Sequence, residues 1–109
     1  KLYRFIQNFP GNVIICAHWG GGLPFYNLMP EVREALKSVY FDSAASPFLY
    51  RPEVFNAVSE LAWAGKVLFA SDYPLMEISR PLWQAKGAGL APDVEAALIG
   101  GNAAKLFGL

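Results

Sequence analysis

Apolar positions along the chain alternate between two periods. Leu2, Phe5, Ile6 and Phe9 fall at i, i+3, i+4 and i+7, one face of a helix that Pro10-Gly11 ends. Val13 to Ala17 follows as an unbroken apolar run, the pattern of a strand buried on both faces. A glycine-rich loop then leads to a helix expected from Met29 to Lys37, with Pro30 and Glu31 in its first turn. Val39-Tyr40-Phe41 reads as a second strand. Pro52-Glu53 opens a helix with Phe55, Val58, Leu61 and Ala62 on one face, and Gly65 suits its C-terminal cap. Val67 to Ala70 is the third strand. Ser79 is expected to cap a helix ending near Gly87, Asp93 to Ile99 forms another, and Asn102 caps a last one stopping at Gly108.

The strands start at 13, 39 and 67, spacings of 26 and 28 residues. That is the length of a βα repeat whose connections are crossover helices, so the predicted class is α/β with three consecutive parallel βα units. Parallel strands send their carboxyl ends to one rim, where open sheets and closed barrels keep their sites. In this sequence His18, Asp42 and Asp72 follow or end the strands. Three strands cannot close a barrel, which takes roughly 200 to 250 residues. Residues 1–109 are therefore expected to be one fragment of a barrel domain. The runs Val13–Ala17 and Val67–Ala70 would border open edges, which pair with the rest of the barrel or with another copy. A self-contained three-layer fold is the alternative, and it leaves both edges unpaired.

Composition narrows the picture. Hydrophobic residues make up 54% and charged ones 17%, which excludes a disordered tail. Nine basic side chains balance nine acidic ones and are scattered singly, so neither nucleic acid nor a membrane surface is an expected partner. No apolar run is long enough to span a bilayer, and no signal-peptide pattern is present. The lone Cys16 gives no disulfide framework, so a reducing, cytoplasmic setting is expected. The apolar excess and the start at Lys1 favour a piece of a larger protein.

His18, the only histidine, stands directly after a strand and before three glycines. An imidazole there can bind a metal, activate a water or shuttle a proton; alternatively it satisfies loop carbonyls. Asp72 ends an apolar stretch, where a carboxylate must be paired, hydrogen-bonded or bound to a cation. Its other reading is a turn residue capping amides through Asp-Tyr-Pro. Asp42-Ser43 followed by small residues reads most simply as a turn start. The glycines are no phosphate loop, because Leu23-Pro24-Phe25 follows where a lysine and a hydroxyl are needed. No Gly-x-Ser-x-Gly elbow is present. Trp19, Phe25, Tyr26, Phe48, Tyr50 and Tyr73 in the strand-end loops either line an apolar pocket or pack the rim.

Four motifs occur together in order. They are Val-Ile-Ile-Cys-Ala-His18-Trp-Gly-Gly-Gly, Tyr-Phe-Asp42-Ser-Ala, Val-Leu-Phe-Ala-Ser71-Asp72-Tyr-Pro, and Gly101-Asn102-Ala-Ala-Lys-Leu-Phe-Gly108. Over essentially the whole chain this series resembles the C-terminal part of the amidohydrolase-related metal-dependent hydrolases, a family that includes non-oxidative decarboxylases. The resemblance implies the last strands of a (β/α)8 TIM barrel and a divalent metal, commonly zinc, at their carboxyl ends. It implies Asp72 as a metal ligand and catalytic residue. His18 is implied as the catalytic acid/base beside the metal, or as a ligand in binuclear relatives. Trp19 and Asp42 are the expected substrate contacts. The implied activity is that of a hydrolase or carboxy-lyase acting on a small carboxylate or amide. The family's His-x-His and its fifth-strand histidine have no counterpart here, so the isolated chain is expected to be inactive. The alternative function is a non-catalytic α/β interaction module that keeps the sheet without the metal site.

Overall fold

Three short strands form one parallel sheet in the order β1 (Ile14–Cys16), β2 (Val39–Asp42), β3 (Val67–Leu68). The computed structural model describes residues 1–109. The register sets Ile15 opposite Tyr40 and Cys16 opposite Phe41, then Phe41 opposite Val67 and Asp42 opposite Leu68. The expected parallel, sequence-ordered sheet is thus the one observed. Around it run α1 (Leu2–Asn8), α2 (Pro30–Ala35), α3 (Ser46–Leu49), α4 (Val54–Leu61), α5 (Ser79–Lys86), α6 (Pro92–Ala96) and α7 (Asn102–Phe107).

Side chains alternate across a strand, and here one face carries the core. Cys16, Val39, Phe41 and Val67 pack against Val32 and Leu36 at α2, Phe55 and Val58 of α4, and Leu98. Across the sheet, Val13 is 60% exposed and Ile15 41%. The first apolar run is therefore covered on one face only, not on both as its composition suggests. α1 contributes only Ile6 to the core, leaving Phe5 and Phe9 exposed. The outer strands are also shorter than their apolar runs. After Leu68 the chain leaves the ladder, and the Phe69 N–H donates to the Leu98 carbonyl at 3.1 Å.

Three helix caps differ from the sequence reading, and the helices expected over residues 29–37 and 93–99 are shorter, at Pro30–Ala35 and Pro92–Ala96. Asn102 does not cap a new helix; it sits in helical backbone (φ −64°, ψ −44°), where α6 runs through a π-type turn at Ala97–Gly101 into α7. Its side-chain amide instead donates to the carbonyls of Ala64 and Val67, at 2.7 and 2.8 Å. Ser79 is the first residue of α5 rather than its cap, and Ile78 holds the cap position. Gly65 does not end α4, which stops at Leu61; the chain turns away at Trp63, which takes a positive φ of 68°. Gly108 does end the last helix in left-handed backbone, as expected.

The loop after β1 positions the rim. His18, Trp19, Gly20, Gly21 and Gly22 all have positive φ, a consecutive left-handed turn. A Cβ at Gly20 would lie 2.8 Å from the Phe41 ring, so only glycine lets this turn close onto β2.

Candidate active site

His18 comes two residues after β1, Asp42 closes β2, and Asp72 comes four residues after β3. The parallel sheet brings all three to one rim. His18 Nε2 lies 3.9 Å from Asp72 Oδ2, with β2 running between the strands that carry them. Both side chains are partly open to solvent, 46% and 37% exposed. His18 Nδ1 is 3.0 Å from the Ala44 carbonyl oxygen. A carbonyl only accepts, so Nδ1 carries the hydrogen and the neutral ring presents a bare Nε2 toward Asp72.

Asp42 takes the turn place that Asp-Ser and the small residues after it suggest. Its Oδ1 accepts from the backbone N–H of His18 at 3.1 Å and from that of Ala44 at 3.0 Å. Trp19, expected as a substrate contact, is fully buried and offers no surface at the rim. The left-handed turn drives its indole inward, where Nε1 donates to Ser46 Oγ at 2.9 Å and the ring meets Phe55 edge-on at 5.0 Å. Beside them, Ser43 Oγ accepts from the Ala70 N–H at 3.0 Å and reaches the Ala70 carbonyl at 3.3 Å. The segment after β2 is therefore fastened to both neighbouring strand ends.

A cavity of about 600 Å³ opens beside His18 and Asp72, with Phe48, Leu49, Tyr50 and Leu75 as its apolar walls. Of the loop aromatics, Phe48 and Tyr50 line it, and the Arg80 guanidinium stacks 4.9 Å over the Phe48 ring. Ala45, Leu49 and Leu75 are lining residues with no chemical signature in the sequence; only the small and apolar character of the loops hints at them. Each of the three strand-end loops brings a non-glycine residue of positive φ to the rim: His18 (φ 55°), Ala45 (φ 55°) and Asp72 (φ 69°). All three line the cavity. Such backbone persists only where surrounding structure fixes it, and it clusters at functional sites.

Cys16, one strand residue beneath, has its thiol pKa raised by burial and then by the negative charge of Asp42. It behaves as a neutral core residue rather than as a nucleophile or thiolate ligand.

The donor chemistry suits a divalent metal in part. Imidazole nitrogen and carboxylate oxygen are both zinc ligands, and two ligands of one tetrahedral ion lie about 3.3 Å apart. The observed 3.9 Å separation is near that value. No group of three or more His, Cys, Asp and Glu side chains is placed to hold a metal ion, so these residues contain no complete metal site.

The fold and the rim define the class: consecutive βα units of a (β/α)8 barrel, with a histidine and an aspartate at the strand ends. The amidohydrolase family model (Amidohydro_2) matches residues 1–109, and the chain belongs to that family. It is 38% identical over 85 residues to 6-methylsalicylic acid decarboxylase of Penicillium expansum, covering 63% of this chain and 25% of that protein. The chain thus spans a quarter of that relative's length. Its fold matches dihydroxybenzoic acid decarboxylase of Polaromonas sp. JS666, solved with bound manganese and 2-nitroresorcinol. The TM-score is 0.83 at 18% identity, over 99% of this chain and 39% of that one. 5-Carboxyvanillate decarboxylase of Sphingomonas paucimobilis matches at TM-score 0.80 and 20% identity, over 99% and 37%. An amidohydrolase of Burkholderia multivorans with bound zinc matches at 0.68 and 18%, over 99% and 48%.

Proposed function

We propose that these residues form the C-terminal part of a metal-dependent barrel enzyme that decarboxylates a small aromatic carboxylate. The observation that carries this reading is the His18–Asp72 pair, 3.9 Å apart at the mouth of a cavity walled by Phe48, Tyr50 and aliphatic side chains. The relatives named as aromatic acid decarboxylases support the choice of decarboxylation over hydrolysis. Flat aromatic rings stack well against such walls, and the two polar groups stand where a carboxylate or phenol oxygen would be oriented.

Asp72 would hold a divalent metal together with donors from outside these 109 residues. When bound, that metal supplies Lewis-acid polarisation of a substrate oxygen and charge neutralisation. His18 moves the proton. Exchanging a ring carboxylate for hydrogen breaks one C–C bond, forms one C–H bond, releases carbon dioxide and consumes one proton. Protonated at Nε2, His18 faces the cavity with the proton to deliver, while Nδ1 stays tied to Ala44. The Phe48 and Tyr50 rings exclude water from that side of the substrate.

The test is metal analysis and turnover of aromatic carboxylates in the protein of natural length. Asp72→Ala is expected to lose most of the metal. His18→Ala is expected to keep it and slow turnover by about 10²-fold or more, the scale of a lost general acid/base. Equal metal loss in both variants would make His18 a ligand, and unchanged metal and rate in both would end the rim-site reading.

A further inference from the structure

We infer that Asp42 is a positioning residue: it holds the loop whose Ala44 carbonyl fixes His18 with its hydrogen on Nδ1 and its lone pair on Nε2. This rests on the proposed role of His18 as the acid/base, and it adds a residue whose work is done without touching substrate.

The geometry is a closed circuit. Asp42 Oδ1 accepts from the His18 N–H at 3.1 Å and from the Ala44 N–H at 3.0 Å. The Ala44 carbonyl in turn accepts from His18 Nδ1 at 3.0 Å. One carboxylate oxygen therefore grips the main chain at both ends of the bond that orients the imidazole. Bonds from N–H groups to an ionised carboxylate are shorter and stronger than neutral ones, so the anion suits this task better than an amide. The need for such a clamp is visible in the backbone. His18 and Ala45 both sit at φ 55°, a conformation that is unfavourable for an L-residue and must be held by neighbouring structure. The imidazole is also 46% exposed, so packing alone does not lock its ring. Ser43, adjacent to Asp42, bonds Ala70 on the far side and gives an internal control: it fastens the same loop without touching His18.

The experiment reads the tautomer directly, by long-range ¹H–¹⁵N correlation of the imidazole in metal-free protein of natural length, with His18→Gln identifying the signals. The parent protein is expected to show Nδ1–H, and Asp42→Ala to shift His18 to a mixture rich in Nε2–H. Ser43→Ala should leave the tautomer as it is. Asp42→Asn keeps the shape and guards against failure of the alanine variant to fold; in it, the His18 and Ala44 amide protons should move upfield together as the charged acceptor is lost. An Nε2–H parent, an unchanged tautomer in a folded Asp42→Ala, an equal shift in Ser43→Ala, or unmoved amides in Asp42→Asn would each overturn the assignment. The readout involves neither metal nor turnover. A tautomer that depends on Asp42 while Asp72→Ala keeps its metal would leave the clamp standing and remove the metal reading.

Discussion

At the scale of single residues, the chemistry of the rim is set by what each polar atom has already been given. His18 spends Nδ1 on Ala44, Asp42 spends Oδ1 on two amides, and Trp19 spends its N–H on Ser46. What remains pointing into the cavity is His18 Nε2 and the Asp72 carboxylate. Beneath them Cys16 carries a measurable consequence. Its thiol pKa in the folded protein is raised above the ordinary 9.0, first by burial and then by Asp42. A raised folded pKa means the unfolded chain releases the proton first, so the contribution to stability is complete below about pH 9 and is lost as pH rises through the folded value. Urea midpoints between pH 7.5 and 10.5 should therefore fall more steeply for the parent than for Cys16→Ala. Equal slopes would show that the thiol titrates alike in both states. Iodoacetamide should label Cys16 slowly until the protein is unfolded.

At the scale of elements, hydrogen bonds across the fold decide what local patterns leave open. Asn102 fastens the last helix to the start of β3 through two carbonyl bonds, and leaving Ala64 and Val67 without a partner costs about 1 to 3 kcal/mol. Asn102→Ala should lower the denaturant midpoint accordingly, and Asn102→Asp should lower it further by setting an anion against two carbonyl oxygens. A midpoint unchanged in both would show that the helix docks by apolar packing alone. The same residue explains how far the sequence could be read. Strand positions were legible because the 26- and 28-residue spacing repeats along the chain and apolar runs accumulate over several residues. Parallel topology then placed His18 and Asp72 on one rim without any coordinates. Helix ends were not legible, because Asn102 has the look of a cap and its amide is claimed by residues 35 and 38 positions away. Trp19 was not legible either. Nothing in Trp-Gly-Gly-Gly states that the turn is left-handed from His18 onward, and that handedness is what sends the indole into the core.

At the scale of the whole molecule, the sheet is covered unevenly, with its second face open along β1. Helices cover the face of Phe41, while Val13 and Ile15 stand open on the other, and β1 and β3 each have a single neighbour within these residues. In a closed barrel that second face is the interior, filled by side chains from every strand. The 109 residues produced alone thus combine unpaired strand edges with exposed apolar surface, the two features that drive chains to pair. Sedimentation velocity at high micromolar concentration should show oligomers or aggregates. Ile15→Lys, which puts a charge on the open face without entering the helix-side core, should shift the distribution toward monomer. Supplying the remaining barrel in the same solution should also suppress self-association, since the rest of the fold competes for the same edges. A monodisperse parent monomer under these conditions would mean that the open face and edges are tolerated by water. The sheet would then have to be regarded as a stable unit in its own right.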